Sequence, residues 1–381
     1  MDFTNLFFPP SSLAIPHYTA RRLTDSIALH GESFPAWENA EVVLIGLPAD
    51  PTQETYESAN AIRAHLHGLS SPHLHLNIAD LGNLTPQNTE EAFQESLADV
   101  VQQIKQKEIL PLFFGGPSRS SYGQFLGHMG YTGRLEYVHI GSQLQTEDSS
   151  HLSNATYNRK ILSYSPSPLF QFTHLGYQQY FTSQEELNWL SNRYQTAIRY
   201  GLLQADLTEA EPFLRDAHMA SMDFSSIRAS DAPGSYLPSP GGFTAGEACR
   251  LARYVGLSHT LASANIVGYQ LQTDPQGQGA LLVAMLLWYI LQGRYQRASY
   301  PPPQKRSQLR RYNVQLHAGI ETINFFLHLN TDRWWMEVPY QADLGKKKPR
   351  TLLVPCSVKD YEIAKNDQIP EKWWTIYNKL S

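Results

Sequence analysis

Residues 219–247 read MASMDFSSIRASDAPGSYLPSPGGFTAGE, and this stretch decides the fold. Its first residues alternate in a way that predicts the end of a β-strand, and a loop rich in proline, glycine and serine follows. Thr244, with Glu247 three residues later, matches a capping box and predicts that a helix begins there. In α/β sheets, ligands bind where a strand ends in a loop that leads into a helix.

The chain around this stretch alternates predicted strands with predicted helices. Apolar runs at 41–48, 109–114 and 135–141 predict buried parallel strands. Residues 90–107 have the periodicity of an amphipathic helix. This alternation predicts an α/β protein whose mainly parallel sheet is covered by helices.

Composition and charge exclude several classes of function. With 381 residues, of which 42% are hydrophobic and 17% charged, the chain can bury a large core. A net charge of −5 gives no electrostatic reason to expect nucleic-acid binding. The two cysteines, Cys249 and Cys356, suggest neither a disulfide framework nor a thiolate metal site. Because no signal-peptide pattern or membrane-spanning run is found, a cytoplasmic protein that does not bind membranes is expected.

The 219–247 stretch contains a recognisable motif. Ser221 and Asp223 are followed by Ala-Pro-Gly at 232–234 and Pro-Gly-Gly at 240–242. In order and spacing this pattern resembles the signature of the ureohydrolases, which are the arginases, agmatinases and formimidoylglutamases. The family pattern begins Ser-x-Asp-x-Asp, and here the second Asp position holds Ser225. The resemblance implies an arginase-like three-layer α/β/α sandwich with about eight strands, in a divergent branch close to the formimidoylglutamases.

Three further motifs follow the family pattern in spacing but not in chemistry. Gly-Gly-Pro-Ser, ending at Ser118, stands where ureohydrolases carry Gly-Gly-Asp-His, whose His binds a metal. After the next predicted strand, Gly141, Gln143 and Gln145 stand where the family has the alternating ligands of Asp-Ala-His-x-Asp. The family's substrate-binding Glu, three residues before a proline, corresponds to Gln272.

The resemblance implies a two-manganese centre, and most of its ligands are replaced here. A binuclear hydrolase needs carboxylates and imidazoles to hold two cations and to lower the pKa of a bridging water. Of the aligned ligand positions, Asp223 alone could contribute a charge. Those positions are Ser118, Gly141, Gln143, Gln145, Asp223 and Ser225. The sequence therefore predicts no manganese or other cofactor, and it assigns no catalytic residue.

Two other sets of residues are candidates for catalysis or metal binding. Ser118 and Ser120 follow a pair of glycines, but the order is not Gly-x-Ser-x-Gly, and a serine-rich turn is the favoured interpretation. His139 lies two residues before Gly141 on an apolar strand, where a core histidine is more common than a ligand.

Two function classes stay open at this point. The first is a ureohydrolase-fold protein without catalysis, a pseudoenzyme that binds a small polar ligand or a protein partner. The second is a formimidoylglutamase-like or amidinohydrolase-like hydrolase that acts on C–N bonds, other than peptide bonds, of linear amidines. Metal content would distinguish the two classes.

The end of the chain lies outside the resemblance. Pro-Pro-Pro at 301–303 cannot continue a helix, and a basic run follows it. Tryptophan pairs at 334–335 and 373–374 make the last part of the chain aromatic. We therefore expect a main domain at 1–311, with an N-terminal arm at 1–40, and an appendage at 312–381 packed on it. A homo-oligomer is also expected.

Overall fold

The computed structural model describes residues 3–11, 14–71, 76–303, 305–316, 322–340 and 350–380. Ten described strands form one large sheet, and four more form a separate antiparallel sheet near the end of the chain. Among the described residues, no helix is both long enough and apolar enough to span a bilayer.

The large sheet has eight parallel neighbouring strands in the order β4-β3-β5-β10-β9-β6-β7-β8. Two short N-terminal strands, β1 and β2, both pair with β4, the first antiparallel and the second parallel. The predicted mainly parallel sheet is thus confirmed, and these two strands account for the difference from about eight. The strands are β1 (Phe7–Phe8), β2 (Ile27–Leu29), β3 (Val42–Gly46), β4 (Ile78–Leu84), β5 (Leu110–Phe114), β6 (Leu135–Ile140), β7 (Leu169–Tyr177), β8 (Thr196–Arg199), β9 (Met219–Asp223) and β10 (Ser263–Val267).

Helices cover both faces of this sheet. Along β3, Val42 and Leu44 belong to one hydrophobic cluster, and Val43 and Ile45 belong to another. Successive strand residues point to opposite faces, so the two clusters lie on opposite sides. Helices α1, α8 and α9 contribute to the first cluster and α2 to the second. The three-layer α/β/α arrangement follows. The helices are α1 (Glu57–Gly68), α2 (Glu90–Lys105), α3 (Ser120–Leu126), α4 (Tyr157–Leu162), α5 (Gln184–Ser191), α6 (Tyr200–Ala205), α7 (Glu211–Leu214), α8 (Ala245–Leu257) and α9 (Gln278–Gln296).

The 219–247 stretch folds as its pattern predicts. β9 ends at Asp223, and α8 begins after Thr244. The Thr244 hydroxyl accepts a hydrogen bond from the Glu247 N–H at 3.2 Å, and the Glu247 carboxylate accepts one from the Thr244 N–H at 2.8 Å. This reciprocal capping fixes the start of α8 and therefore the far end of the loop.

The C-terminal region forms an antiparallel sheet in the order β11-β12-β13-β14, followed by two helices. It contacts the large domain through Arg215, whose guanidinium donates a hydrogen bond to the Trp334 carbonyl at 2.7 Å and lies over the Trp335 ring. Trp335 and Trp373 are buried, whereas Trp374 is 48% exposed. The elements are β11 (Leu309–Gln315), β12 (Thr322–His328), β13 (Trp334–Tyr340), β14 (Arg350–Cys356), α10 (Val358–Lys365) and α11 (Glu371–Leu380).

Candidate functional site

The motif residues lie at the carboxyl ends of neighbouring central strands. Ser118 follows β5, Gly141 follows β6, and Asp223 ends β9. In the sheet, β9 is next to β6, and β10 lies between β9 and β5. The carboxyl ends of these parallel strands therefore meet at one edge of the sheet. This is the edge at which open α/β sheets bind ligands.

Asp223 is the charged group at the centre of this edge, and it is 1% exposed. Its Oδ2 accepts hydrogen bonds from the Ser118 hydroxyl at 2.6 Å and from the Tyr236 hydroxyl at 3.2 Å. Its Oδ1 accepts one from the Ser225 N–H at 2.8 Å. Burial raises the pKa of Asp223, while these donors act in the opposite direction. Both oxygens of the carboxylate are therefore already engaged.

Tyr236 and Ser142 are site residues that the sequence interpretation missed. Tyr236 lies in the loop between β9 and α8, and burial and the charge of Asp223 raise the pKa of its phenol. The Ser142 hydroxyl donates to the Ser225 hydroxyl at 3.1 Å, and both serines are fully buried. Ser142 could have been found as the residue between two motif positions, whereas a single loop tyrosine gives no signal of where it points.

The two glutamines of the second motif differ in environment. Gln145 is 2% exposed, has a positive φ of 51°, and accepts a hydrogen bond from the Asn158 amide at 3.4 Å. Its own amide nitrogen is buried without a hydrogen-bond partner of good geometry in the described chain. Gln143 is only half-buried. This amide nitrogen is a hydrogen-bond donor, which suits an acceptor and not a cation, and the Gln145 side chain also interacts with the Tyr236 phenol.

The structure does not bring Gln272 to the site. β10 ends at Val267, and Gln272 is exposed in a 3-10 helix that spans Leu271–Thr273. The position next to Asp223 is Gly268, where an added Cβ would lie 3.2 Å from the Asp223 Oδ1 and 2.9 Å from the Tyr236 ring. The family pattern places its Glu three residues before a proline, which here is Pro275, and so points to Gln272. The segment between the end of β10 and Pro275 is longer than this spacing, so Gln272 lies beyond the strand end.

His139 is a core residue whose imidazole lies within a chain of buried hydrogen bonds. The Tyr157 hydroxyl lies 2.7 Å from its Nε2, and the His174 Nδ1 lies 3.0 Å from its Nδ1. The His174 Nε2 lies 3.0 Å from the Gly141 carbonyl, to which it donates. If each imidazole is neutral, every link has one donor and one acceptor, and burial lowers the pKa of both histidines. This chain fixes the backbone of the second motif.

The residues at this edge do not fit the two-manganese centre of the family. In the described part of the chain, no group of three or more His, Cys, Asp or Glu side chains could hold a metal ion. Asp223 alone is anionic among the motif positions, and hydroxyl and N–H donors occupy its oxygens. One carboxylate cannot offset the dehydration of two divalent cations. Two of the aligned ligand positions hold serines that donate to Asp223, Ser118 through its hydroxyl and Ser225 through its N–H.

Comparisons with known proteins agree with the fold and the motifs. The model of the arginase family matches residues 40–292. The formimidoylglutamase of Enterobacter sp. (strain 638) is 22% identical over 275 residues, covering 66% of this chain and 86% of the relative. That of Citrobacter koseri is 22% identical over 289 residues, covering 72% and 92%.

Solved structures show the same fold. The formimidoylglutamase of Bacillus subtilis superposes with a TM-score of 0.65 at 17% identity, covering 76% of this chain and 96% of that one. The formiminoglutamase of Trypanosoma cruzi with Mn²⁺ superposes with a TM-score of 0.64 at 18% identity, covering 72% and 99%. With a family match over more than half of its length and formimidoylglutamases among its relatives, the chain belongs to the arginase family and is a formimidoylglutamase-like member of it.

Proposed function

We propose that this protein is a ureohydrolase-fold protein that acts by binding and not by dimanganese hydrolysis. The main support for the proposal is that Asp223 already accepts hydrogen bonds from Ser118, Tyr236 and Ser225, so both of its oxygens are engaged. A carboxylate has about four lone-pair sites, and three accepted hydrogen bonds leave about one of them for a metal ion. Its bonds are those of a structural carboxylate that joins three segments of chain.

Under this proposal, the partner is a small polar ligand or a protein. The buried donor on Gln145 and the hydroxyls near Asp223 favour a neutral or acceptor-rich ligand over a guanidinium. The position aligned with the family's Glu holds the neutral Gln272, which is exposed. A cytoplasmic homo-oligomer without cofactor remains part of the proposal.

A second candidate is a formimidoylglutamase-like hydrolase of the C–N bonds of linear amidines. The observation that favours it is the similarity to proteins named formimidoylglutamase over about two thirds of the chain. These comparisons support hydrolysis more directly than binding, whereas the geometry at Asp223 supports binding. Hydrolysis at this site would need a water activated without the family's ligand set, and Asp223 would be the available base.

One experiment separates the two candidates. The full chain is produced with manganese in the medium, its metal content is measured after dialysis, and ammonia release from N-formimidoylglutamate is followed. The Asp223→Asn variant is the matched control. The binding proposal expects no stoichiometric metal and no turnover above the variant. Turnover that Asp223→Asn abolishes, with or without bound manganese, establishes the hydrolase and contradicts the proposal.

A further inference from the structure

A cavity lies at the end of the large sheet opposite to Asp223. It has a volume of about 450 Å³, and its walls include residues next to the amino ends of β5, β6, β9 and β10. Asp223 ends β9 and His218 immediately precedes that strand, so the two sites are about 17 Å apart at the rise of an extended chain. This volume is within the range of pockets that hold small molecules.

Arg294, in the last turn of α9, faces this cavity and is only 7% exposed. Its Nε is buried and has no hydrogen-bond partner among the residues that the structure describes. Folded proteins rarely leave a buried guanidinium N–H unpaired, because the loss of its hydrogen bonds to water is not compensated. An acceptor from outside the chain would satisfy it.

Arg297 lines the same cavity, three residues further along the chain. It is half-buried, and it forms no ion pair with a described residue. Burial and the neighbouring charge of Arg297 lower the pKa of Arg294 to about 10, and the charge of Glu41 acts in the opposite direction. Two guanidinium groups thus share the wall of one cavity, and Glu41, the acid that acts on both, does not line that wall.

The other polar groups of the cavity leave this positive charge uncompensated. Lys105 donates to the Gly127 carbonyl at 3.0 Å, and the His259 Nε2 lies 3.0 Å from the carbonyls of both Arg297 and Tyr300. The acid on the cavity wall is Glu108, whose side chain is exposed. With Lys105 and two arginines against Glu108, the described wall has an excess of two positive charges.

We propose that this cavity binds a small phosphate ester whose phosphate group pairs with Arg294 and Arg297. Guanidinium groups present fork-shaped donors that match phosphate oxygens, and a phosphate monoester has the two negative charges that the cavity lacks. The cavity is larger than a bare phosphate, and Leu261 and Tyr131 on its wall can contact the organic part. The proposal does not depend on the function of the Asp223 site, which lies at the other end of the sheet.

The test uses the full chain and inorganic phosphate as the probe. Thermal midpoints are measured against phosphate concentration at constant ionic strength, with chloride as the reference salt, and affinity is measured by calorimetry. Arg297→Gln is expected to weaken phosphate binding by at least about tenfold, because it removes one of two forks. Arg250→Gln, a change at an exposed arginine of α8, should leave the affinity unchanged.

Arg294→Met is the second variant, because it removes the unpartnered guanidinium and keeps an apolar stem of similar length. It should abolish phosphate stabilisation. If it does not fold, Arg297→Gln alone decides the question. Equal stabilisation of the wild type and Arg297→Gln by phosphate would mean a general salt effect, and equal midpoints in phosphate and chloride would mean no binding. Either result overturns the proposal.

Discussion

Ser118 and Asp223 are 105 positions apart in the chain, and their side chains lie 2.6 Å apart. This distance is typical of a hydroxyl that donates to an ionised carboxylate. Tyr236 donates to the same oxygen. Two hydroxyl donors therefore occupy Oδ2 of Asp223, the one acid among the motif positions.

Ser118→Ala should lower the free energy of unfolding by about 1.5–3 kcal/mol, because it removes a hydrogen bond to a buried charged group. Ser120→Ala is the matched control: Ser120 lies in the same turn, is equally buried, and has a hydroxyl without a hydrogen-bond partner in the described chain. That change should be neutral or stabilising. Urea unfolding of both variants checks the difference, and equal losses would contradict the assigned role of Ser118.

Asp223→Asn should change how stability depends on pH. Because the pKa of Asp223 is raised in the folded protein, the native state keeps this proton after the unfolded chain has released it. The wild type therefore loses stability as pH rises from the ordinary value near 3.8 to the raised pKa. The neutral amide removes this slope, so the stability of the variant relative to the wild type should increase across that window.

Asp332→Asn, at an exposed aspartate, is the control for this pH series. Unfolding curves between about pH 4 and 7 supply the comparison. If Asp223→Asn runs parallel to the wild type, Asp223 has the same pKa in both states and its burial has no electrostatic consequence.

Some residues of the site could be predicted from the sequence and others could not. Asp223 and Ser118 lie where motif spacing put them, since strand ends in a parallel sheet converge. Gln272 does not, because the length of a loop is not visible in spacing alone. Tyr236 was missed because its role depends on the path of a loop that bends back over the strand end. The motif spacing could predict which strand-end residues lie close together. It could not predict which loop side chain covers them.

At the scale of elements, the buried parallel strands were predictable and the C-terminal sheet was not. β3 and β5 are continuous apolar runs because both of their faces are covered. β11, by contrast, has only one buried residue and reads as a polar, basic segment. Its partner β12 begins only at Thr322, so neither strand shows the pairing by itself.

Arg215 connects the segment before β9 to the C-terminal sheet. It pairs with Glu211, donates to the Trp334 carbonyl and is 6% exposed. Arg215→Gln should destabilise the protein by about 3 kcal/mol, the lower end for a broken buried ion pair, because Glu211 keeps Arg333 at 2.9 Å. Arg193→Gln, at an exposed arginine over the Trp189 ring, should cost much less. Similar losses in chemical denaturation would show that Arg215 does not hold the two sheets together.

At the scale of the whole molecule, the large sheet presents two different ends. Its carboxyl end, where the arginase family carries out chemistry, is filled by the side chains around Asp223. Its amino end contains a cavity with unpartnered positive charge. The family fold is therefore kept, and the proposed function implies that the chemistry at its usual site is changed.

The most direct test of this account is a crystal structure of the protein grown with Mn²⁺, with anomalous data collected at the manganese absorption edge. We expect no anomalous peak at Asp223 and a Ser118 to Asp223 separation close to 2.6 Å. Ser118 and Tyr236 should remain on the same carboxylate oxygen. One or two manganese peaks within coordination distance of Asp223, with Ser118 displaced from it, would contradict the proposal that the protein does not act by dimanganese hydrolysis.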